Sequence, residues 1–219
     1  MKDSWKSFIP DSLSVILGIF ITFAIQGMID RSNDRKEVKS ALWLVRTELA
    51  TNLEDINTVT DYLRQERASA RYLLDNRTGL ENCPADSLAY HSGIVMADVN
   101  ATVSKDALEL LKSSSLFQKV GNSILSMKII RAYDSLQLIV DMVNRHIADR
   151  NTRFENSINA DNAGLLASEG FLSIPDFMKS DYGLYAMRWL TTQVAAEQAS
   201  DVGDIQEALK SIDDYLRRQ

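Results

Sequence analysis

Two histidines and one cysteine are the side chains with which this sequence could begin nucleophilic or metal chemistry. His91 and His146 stand 55 positions apart, and neither belongs to a His-Glu-x-x-His pair or a similar ligand spacing. His146 falls on an apolar helix face, where a packed or capping imidazole is the ordinary occupant. Cys83 lies in an expected loop with no histidine near it in the sequence, which argues against a nucleophilic thiolate. A single cysteine also excludes an internal disulfide framework and a cysteine-rich metal site. The nine glycines form no Gly-x-Ser-x-Gly, Walker A or Gly-x-Gly-x-x-Gly pattern. The acidic residues are scattered at solvated helix positions, with Asp213-Asp214 read as surface. No catalytic, cofactor-binding or metal-ligating residue is assigned, no cofactor is expected, and enzymatic activity is not.

The elements that would have to position such groups are helices. Hydrophobic residues make up 45% and charged residues 25% of the 219-residue chain, which is globular rather than disordered composition. Nine Gly and three Pro are too few for a sheet protein with many tight turns. The net charge is −6, of which residues 31–219 carry −5. An acidic domain is a poor match to nucleic acid, so no nucleic-acid partner is expected. A helix-turn-helix over Ala107–Tyr133 is disfavoured too, because its basic set is thin and its connection exceeds three to four residues.

From Ser12 to Ile29 the sequence reads SLSVILGIFITFAIQGMI, eighteen residues without a charge, bounded by Asp11 and Asp30. As a helix it would rise roughly 27 Å, close to the ~30 Å hydrocarbon core of a bilayer. Trp5 sits where an interfacial aromatic belongs, and Pro10 suits a first helical turn. The run exceeds the ~7–15 apolar residues of a cleaved signal, and no small-x-small site closes it. The expected organisation is a short tail (1–11), a transmembrane anchor (12–29), a long juxtamembrane helix (30–76) and a helical bundle (77–219) that includes the long helix. The fold class is therefore all-α: an N-terminal transmembrane helix continuing into a long helix, followed by an antiparallel helical bundle.

Leu42, Leu49, Ile56, Leu63 and Ala70 recur every seven residues, and so do Val45, Asn52, Val59, Glu66 and Leu73. Together they form an a/d seam with Asn52 and Glu66 as polar interruptions. Such a seam serves either a coiled-coil stalk or a stripe facing the chain's own core, and two polar positions favour the core. The charged face (Arg46, Glu48, Glu54, Asp55, Arg64, Arg67) is expected to stay wet. Residues 77–85 read as a loop, punctuated by Gly79 and Pro84. A short helix follows over Asp86–Ala97, and another starts with Ser104 as N-cap and Asp106 in its first turn. Asn122 caps a long helix in which Leu125, Ile129, Leu136, Ile139, Val143 and Ile147 face inward. A polar stretch surrounds Asn156–Gly164, and Ser173-Ile-Pro-Asp176 signals a helix start. Leu184, Met187, Leu190 and Val194 give one stripe beside Tyr185 and Trp189. Tyr182, Tyr185 and Trp189 are either core or a partner surface. A final helix turns Ile205, Leu209, Ile212 and Leu216 inward. In the Ala107–Tyr133 corner Leu111, Leu116, Leu125 and Ile129 are expected to be buried.

Two segments resemble an uncharacterised family of small bacterial single-pass membrane proteins. Gly18-Ile-Phe-Ile-Thr-Phe-Ala-Ile-Gln26, leading into the charged Asp30–Lys36, is similar to the family's apolar span. Glu109, Leu111, Lys112, Ser113, Ser114 and Leu116, followed by Leu125, Lys128, Ile129, Ile130 and Tyr133, are similar to its Glu-x-Leu-Lys-Ser-Ser-Gly motif and the helix behind it. Ser115 stands where the family has a glycine and hence a left-handed helix cap. The resemblance covers about a third of the chain. It implies an N-terminal anchor, a helical soluble domain and nothing catalytic. It also implies a domain outside the cytoplasm, whereas Arg31, Arg35, Lys36, Lys39 and Arg46 after the span argue for the cytoplasmic side.

The expected function is a membrane-anchored helical scaffold or accessory interaction subunit of a bacterial envelope complex. Its expected partners are the lipid bilayer and either another copy or a different membrane protein, at the bacterial inner membrane. The alternative is a membrane-anchored sensor whose bundle binds a small ligand.

Overall fold

Between Met28 and Asn76 no glycine or proline interrupts the helical pattern, and the chain forms one helix there, α1 (Trp5–Asp75, 71 residues). The computed structural model describes residues 5–97, 99–157, 177–178 and 180–218, with side chains over 33–97, 99–154, 177–178 and 180–218. The side chains of the Ser12–Ile29 run therefore lie outside the described ones, as do most of the Asn156–Gly164 stretch and the Ser173–Asp176 helix start. Among the described residues no helix is long and apolar enough to cross a membrane, and every regular element is helical.

After α1 the expected loop holds a 3-10 turn (Arg77–Asn82), and Pro84 starts α2 (Ala85–Met96). An extended stretch leads to α3 (Asp106–Ser113), then to a single turn, α4 (Leu116–Lys119), and to the long α5 (Ser123–Ser157). The rest is α6 (Asp181–Thr192), α7 (Ala195–Ala199) and α8 (Gly203–Arg218). The four-residue α4 and the five-residue α7 are too short to show a periodic pattern, so the sequence reading lacks them.

Side-chain pairs give the direction of each leg. Tyr72 stacks on His91, the Tyr62 hydroxyl donates to the Ile94 carbonyl, and Asn52 bonds the Ser104 backbone, so this leg descends along α1. The next leg climbs again: Lys119–Asp34, Tyr133–Glu48 and Arg150–Glu66 are separated by 85, 85 and 84 positions. The last leg descends, with Trp189 against His146, Asp204 bonded to Ser135 and Ser211 to Lys128. The result is an up-down-up-down bundle in which α1 and α5 are the unbroken legs and run parallel.

The heptad stripe of α1 is the spine of this core. Leu42, Val45, Leu49, Ile56, Leu63, Ala70 and Leu73 are all buried within the chain. On α5, Leu125, Ile129, Leu136, Ile139, Val143 and Ile147 are buried against them. Several positions sit nearer the surface than their spacing suggests. Val59, Leu116, Leu184, Leu209 and Leu216 are half-buried, and Val194 is exposed because α6 stops at Thr192, two residues before it.

Candidate functional site

The apolar interior is in two parts. One runs from Val38 to Leu63 on α1 with most of α5 and α8; the other gathers Ala70, Leu73, Leu80, Val95, Met178, Ala186, Met187 and Leu190. Between Leu63 and Ala70 the stripe presents Glu66 instead of a hydrophobe, 2% exposed. One more turn of the α5 stripe beyond Val143 brings His146 and Arg150 to the same level, also buried. The three form the bundle's buried ionic layer. His146 Nε2 lies 2.8 Å and Arg150 Nη1 2.7 Å from the two Glu66 carboxylate oxygens. Arg150 Nη1 also donates to the Tyr62 hydroxyl at 3.1 Å, and the rest of its guanidinium reaches the Asn151 side chain. Burial works against the charge on Arg150, but its bonds to Glu66 and Tyr62 overcome that, so its pKa is raised.

The layer's outer wall is aromatic. The Trp189 indole stacks on His146 at 5.2 Å between ring centroids, and the Arg153 guanidinium caps Trp189 at 4.7 Å. Arg153 also donates to the Tyr185 hydroxyl at 2.8 Å. Of the three aromatics that could be core or partner surface, Trp189 is half-buried in this stack, while Tyr182 and Tyr185 are exposed. Two buried nitrogens here, His146 Nδ1 and Arg153 Nε, have no hydrogen-bond partner among the described residues. Chemically, the layer holds a carboxylate between two nitrogen donors, away from water. Such an arrangement can fix the register of α5 against α1.

A second polar junction centres on Glu48, which is only half-exposed rather than wet. Its carboxylate accepts from the Tyr133 hydroxyl at 2.5 Å, the Ser104 hydroxyl at 2.7 Å and the Ala107 N–H at 2.9 Å. Ser104 is thus not the N-cap of α3; Lys105 holds that position without a capping bond, and the carboxylate from α1 takes the free N–H. Burial would raise the Glu48 carboxyl, but bonds from Tyr133, Ala107, Ser104 and Leu108 hold it below the usual carboxylate range. Tyr133 is displaced upward by burial and by the Glu48 charge, so it stays a donor. A cleft of about 510 Å³ opens beside this junction, lined by Leu44, Thr51, Asp55 and Leu110 among others.

The structure also brings together residues the sequence kept apart. Cys83 lies beside Tyr72, whose ring stacks on His91 at 4.0 Å, and His91 Nδ1 is 3.0 Å from the Ser69 hydroxyl. The hydrogen bond between Tyr72 and Cys83, then burial, raises the Tyr72 hydroxyl, and burial lowers His91. Asp213 is not free surface either; it pairs with Arg46 at 2.7 Å. Among the described residues no group of His, Cys, Asp and Glu is arranged to hold a metal ion. Comparison with known proteins gives no match: no family model, no curated protein and no solved structure matches the chain.

Tyr62 and Arg150 carry this layer and were not singled out from the sequence. Extending the α5 stripe past Ile147 would have exposed Arg150 as a charge on an apolar face. Its pairing with Glu66 depends on the offset between α1 and α5, which no local pattern sets.

Proposed function

We propose that the chain is a membrane-anchored helical scaffold or accessory subunit of a bacterial envelope complex, acting by association rather than catalysis. One observation carries this reading: the uncharged Ser12–Ile29 run and the core stripe Leu42–Leu73 belong to the same 71-residue helix. A bundle built on the anchor's own helix has a fixed position relative to the membrane, which suits a subunit that presents a surface. Among the polar side chains of the interior, Glu66 bonds Arg150 and His146, and Asn52 bonds the Ser104 backbone. The resemblance of Gly18–Gln26 and Glu109–Tyr133 to single-pass membrane proteins supports the same reading and favours a periplasmic domain.

Alkaline carbonate extraction with intact-mass measurement tests the anchor. The full-length mass in the membrane pellet is expected; a soluble product starting near residue 30 would end the proposal. Tyr90→Cys, an exposed position in a Cys83→Ser background, reports the side of the membrane. Labelling by an impermeant maleimide in intact spheroplasts is expected, and protection until lysis would place the domain in the cytoplasm.

The sensor reading is favoured by a different observation, the ionic layer between two apolar clusters, whose His146 Nδ1 has no hydrogen-bond partner among the described residues. A small molecule retained through purification, and lost in His146→Leu, would support the sensor over the scaffold.

A further inference from the structure

The seven-residue stripe of α1 is used inside the chain, but α5 carries a second such stripe on its outer side. Ile124, Arg131, Leu138 and Arg145 recur every seven residues, and Met127, Asp134, Asp141 and Ala148 repeat the interval three positions later. All of these are exposed, whereas Leu125, Ile129, Leu136 and Val143 enter the core. At about 100° per residue the two stripes lie on opposite faces of the helix. A single exposed apolar side chain is ordinary. Here Ile124 is 67%, Met127 54% and Leu138 69% exposed along one line, with Ile130 at 38% beside it. The spacing is that of an a/d seam, and no described helix covers it.

The charges on this face decide what fits it. Arg131, Asp134 and Arg145 make no hydrogen bond or ion pair among the described residues, although Arg131 and Asp134 are three positions apart. Asp141 accepts from the Gln137 side chain at 2.8 Å and meets no cation among the described residues. From Arg131 to Arg145 the stripe reads cation, carboxylate, leucine, carboxylate, cation. A uniformly basic or acidic partner would leave half of these charges opposed. An identical face laid parallel does not: Arg131 reaches the partner's Asp134, Arg145 reaches the partner's Asp141, and Leu138 meets its own equivalent. We propose that the outer face of α5 is the interface through which two copies of this chain pair in parallel about a two-fold axis. The parallel sense rests on the Ser12–Ile29 run being a span, because copies anchored from one side point α1, and α5 with it, the same way. Like charges at the same level are offset by the cross pairs, so the dimer is weak and reversible rather than obligate.

The full chain with Cys83→Ser and Leu138→Cys is reconstituted into vesicles of phosphatidylethanolamine and phosphatidylglycerol and oxidised with copper phenanthroline. Tyr90→Cys, exposed on α2, is the reference position. Crosslinking between chains is expected to be roughly tenfold faster at 138 than at 90, because pairing raises the local thiol concentration. Asp134→Arg is expected to weaken the dimer roughly three- to tenfold, since two cross pairs are lost. Adding Arg131→Asp exchanges the two charges and is expected to restore pairing. That rescue is specific to the parallel order, since antiparallel faces would set the carboxylate introduced at 131 against Asp141. An Asp134→Arg variant that crosslinks like the parent, or one that the exchange does not rescue, overturns the proposal. Equally slow crosslinking at 138 and 90, in protein that resists carbonate, overturns the interface and leaves the anchor standing. Protein stripped by carbonate that still crosslinks at 138, with rescue by the exchange, removes the anchor and retains the interface. Position 138 shielded from an impermeant maleimide only in native membranes, with the purified chain monomeric, assigns the face to a different membrane protein and overturns the proposal.

Discussion

Ser115 has φ 59°, in the left-handed region, between α3 and α4. Its Cβ is strained there, by roughly 1–2 kcal/mol for an L-residue. Gly relieves the strain but loses more entropy on folding, so Ser115→Gly is expected to stabilise by about 0.5–1 kcal/mol. Thermal unfolding checks it, and a lower midpoint would contradict the strain argument. Glu48 acts at the same scale but through charge. Because its carboxyl is held below the usual range, its contribution is complete above the ordinary carboxylate pKa and is lost as pH falls through the lower folded value. Glu48→Gln should therefore be less stable than the parent near neutral pH, with the difference narrowing toward acid. Denaturant midpoints measured at several pH values test this, and a pH-independent difference would assign the effect to packing.

At the scale of elements, α5 holds the corner to the rest of the bundle. Leu125 is 1% exposed at its N-terminal end, one turn after Asn122 accepts the Leu125 N–H as the helix cap. Leu125→Ala is expected to lower unfolding free energy by roughly 2–5 kcal/mol, as for other buried leucines. A loss below about 1 kcal/mol would mean the corner is loosely packed. The α6 start is built differently: the Ser180 hydroxyl accepts the Gly183 N–H, and a Cβ at Gly183 would run into the Phe177 carbonyl. That close approach explains a glycine inside a helix, where it otherwise weakens the helical backbone.

For the molecule as a whole, the ionic layer decides alignment more than stability. Burying Glu66, His146 and Arg150 incurs a desolvation penalty that their mutual bonds offset, so removing one partner leaves an uncompensated charge. Glu66→Ala is expected to destabilise by roughly 3–5 kcal/mol. The triple replacement Glu66→Met, His146→Leu, Arg150→Met should restore stability to within about 1 kcal/mol of the parent, or exceed it. If the layer sets register, the triple variant should also give a more heterogeneous amide spectrum despite its stability. A single sharp set of resonances would remove the register role and leave the layer available to the sensor reading.

Local chemistry was legible in the residues themselves. The absence of breakers from Ile29 to Asp75 gives α1 its continuity, the seven-residue spacing of Leu42 to Ala70 gives it a buried face, and Asn122 marks the start of α5. Each follows from backbone freedom or helical period, which act over a few residues. What Glu66, Glu48 and Asn52 do was settled only by tertiary structure. All three are polar residues on α1, and their partners Arg150, Tyr133 and Ser104 are 84, 85 and 52 positions away. A helix pattern states which side is apolar, but not which opposing turn arrives at its level. That alignment comes from packing the four legs together, and with it comes the fate of every charge on the inner face.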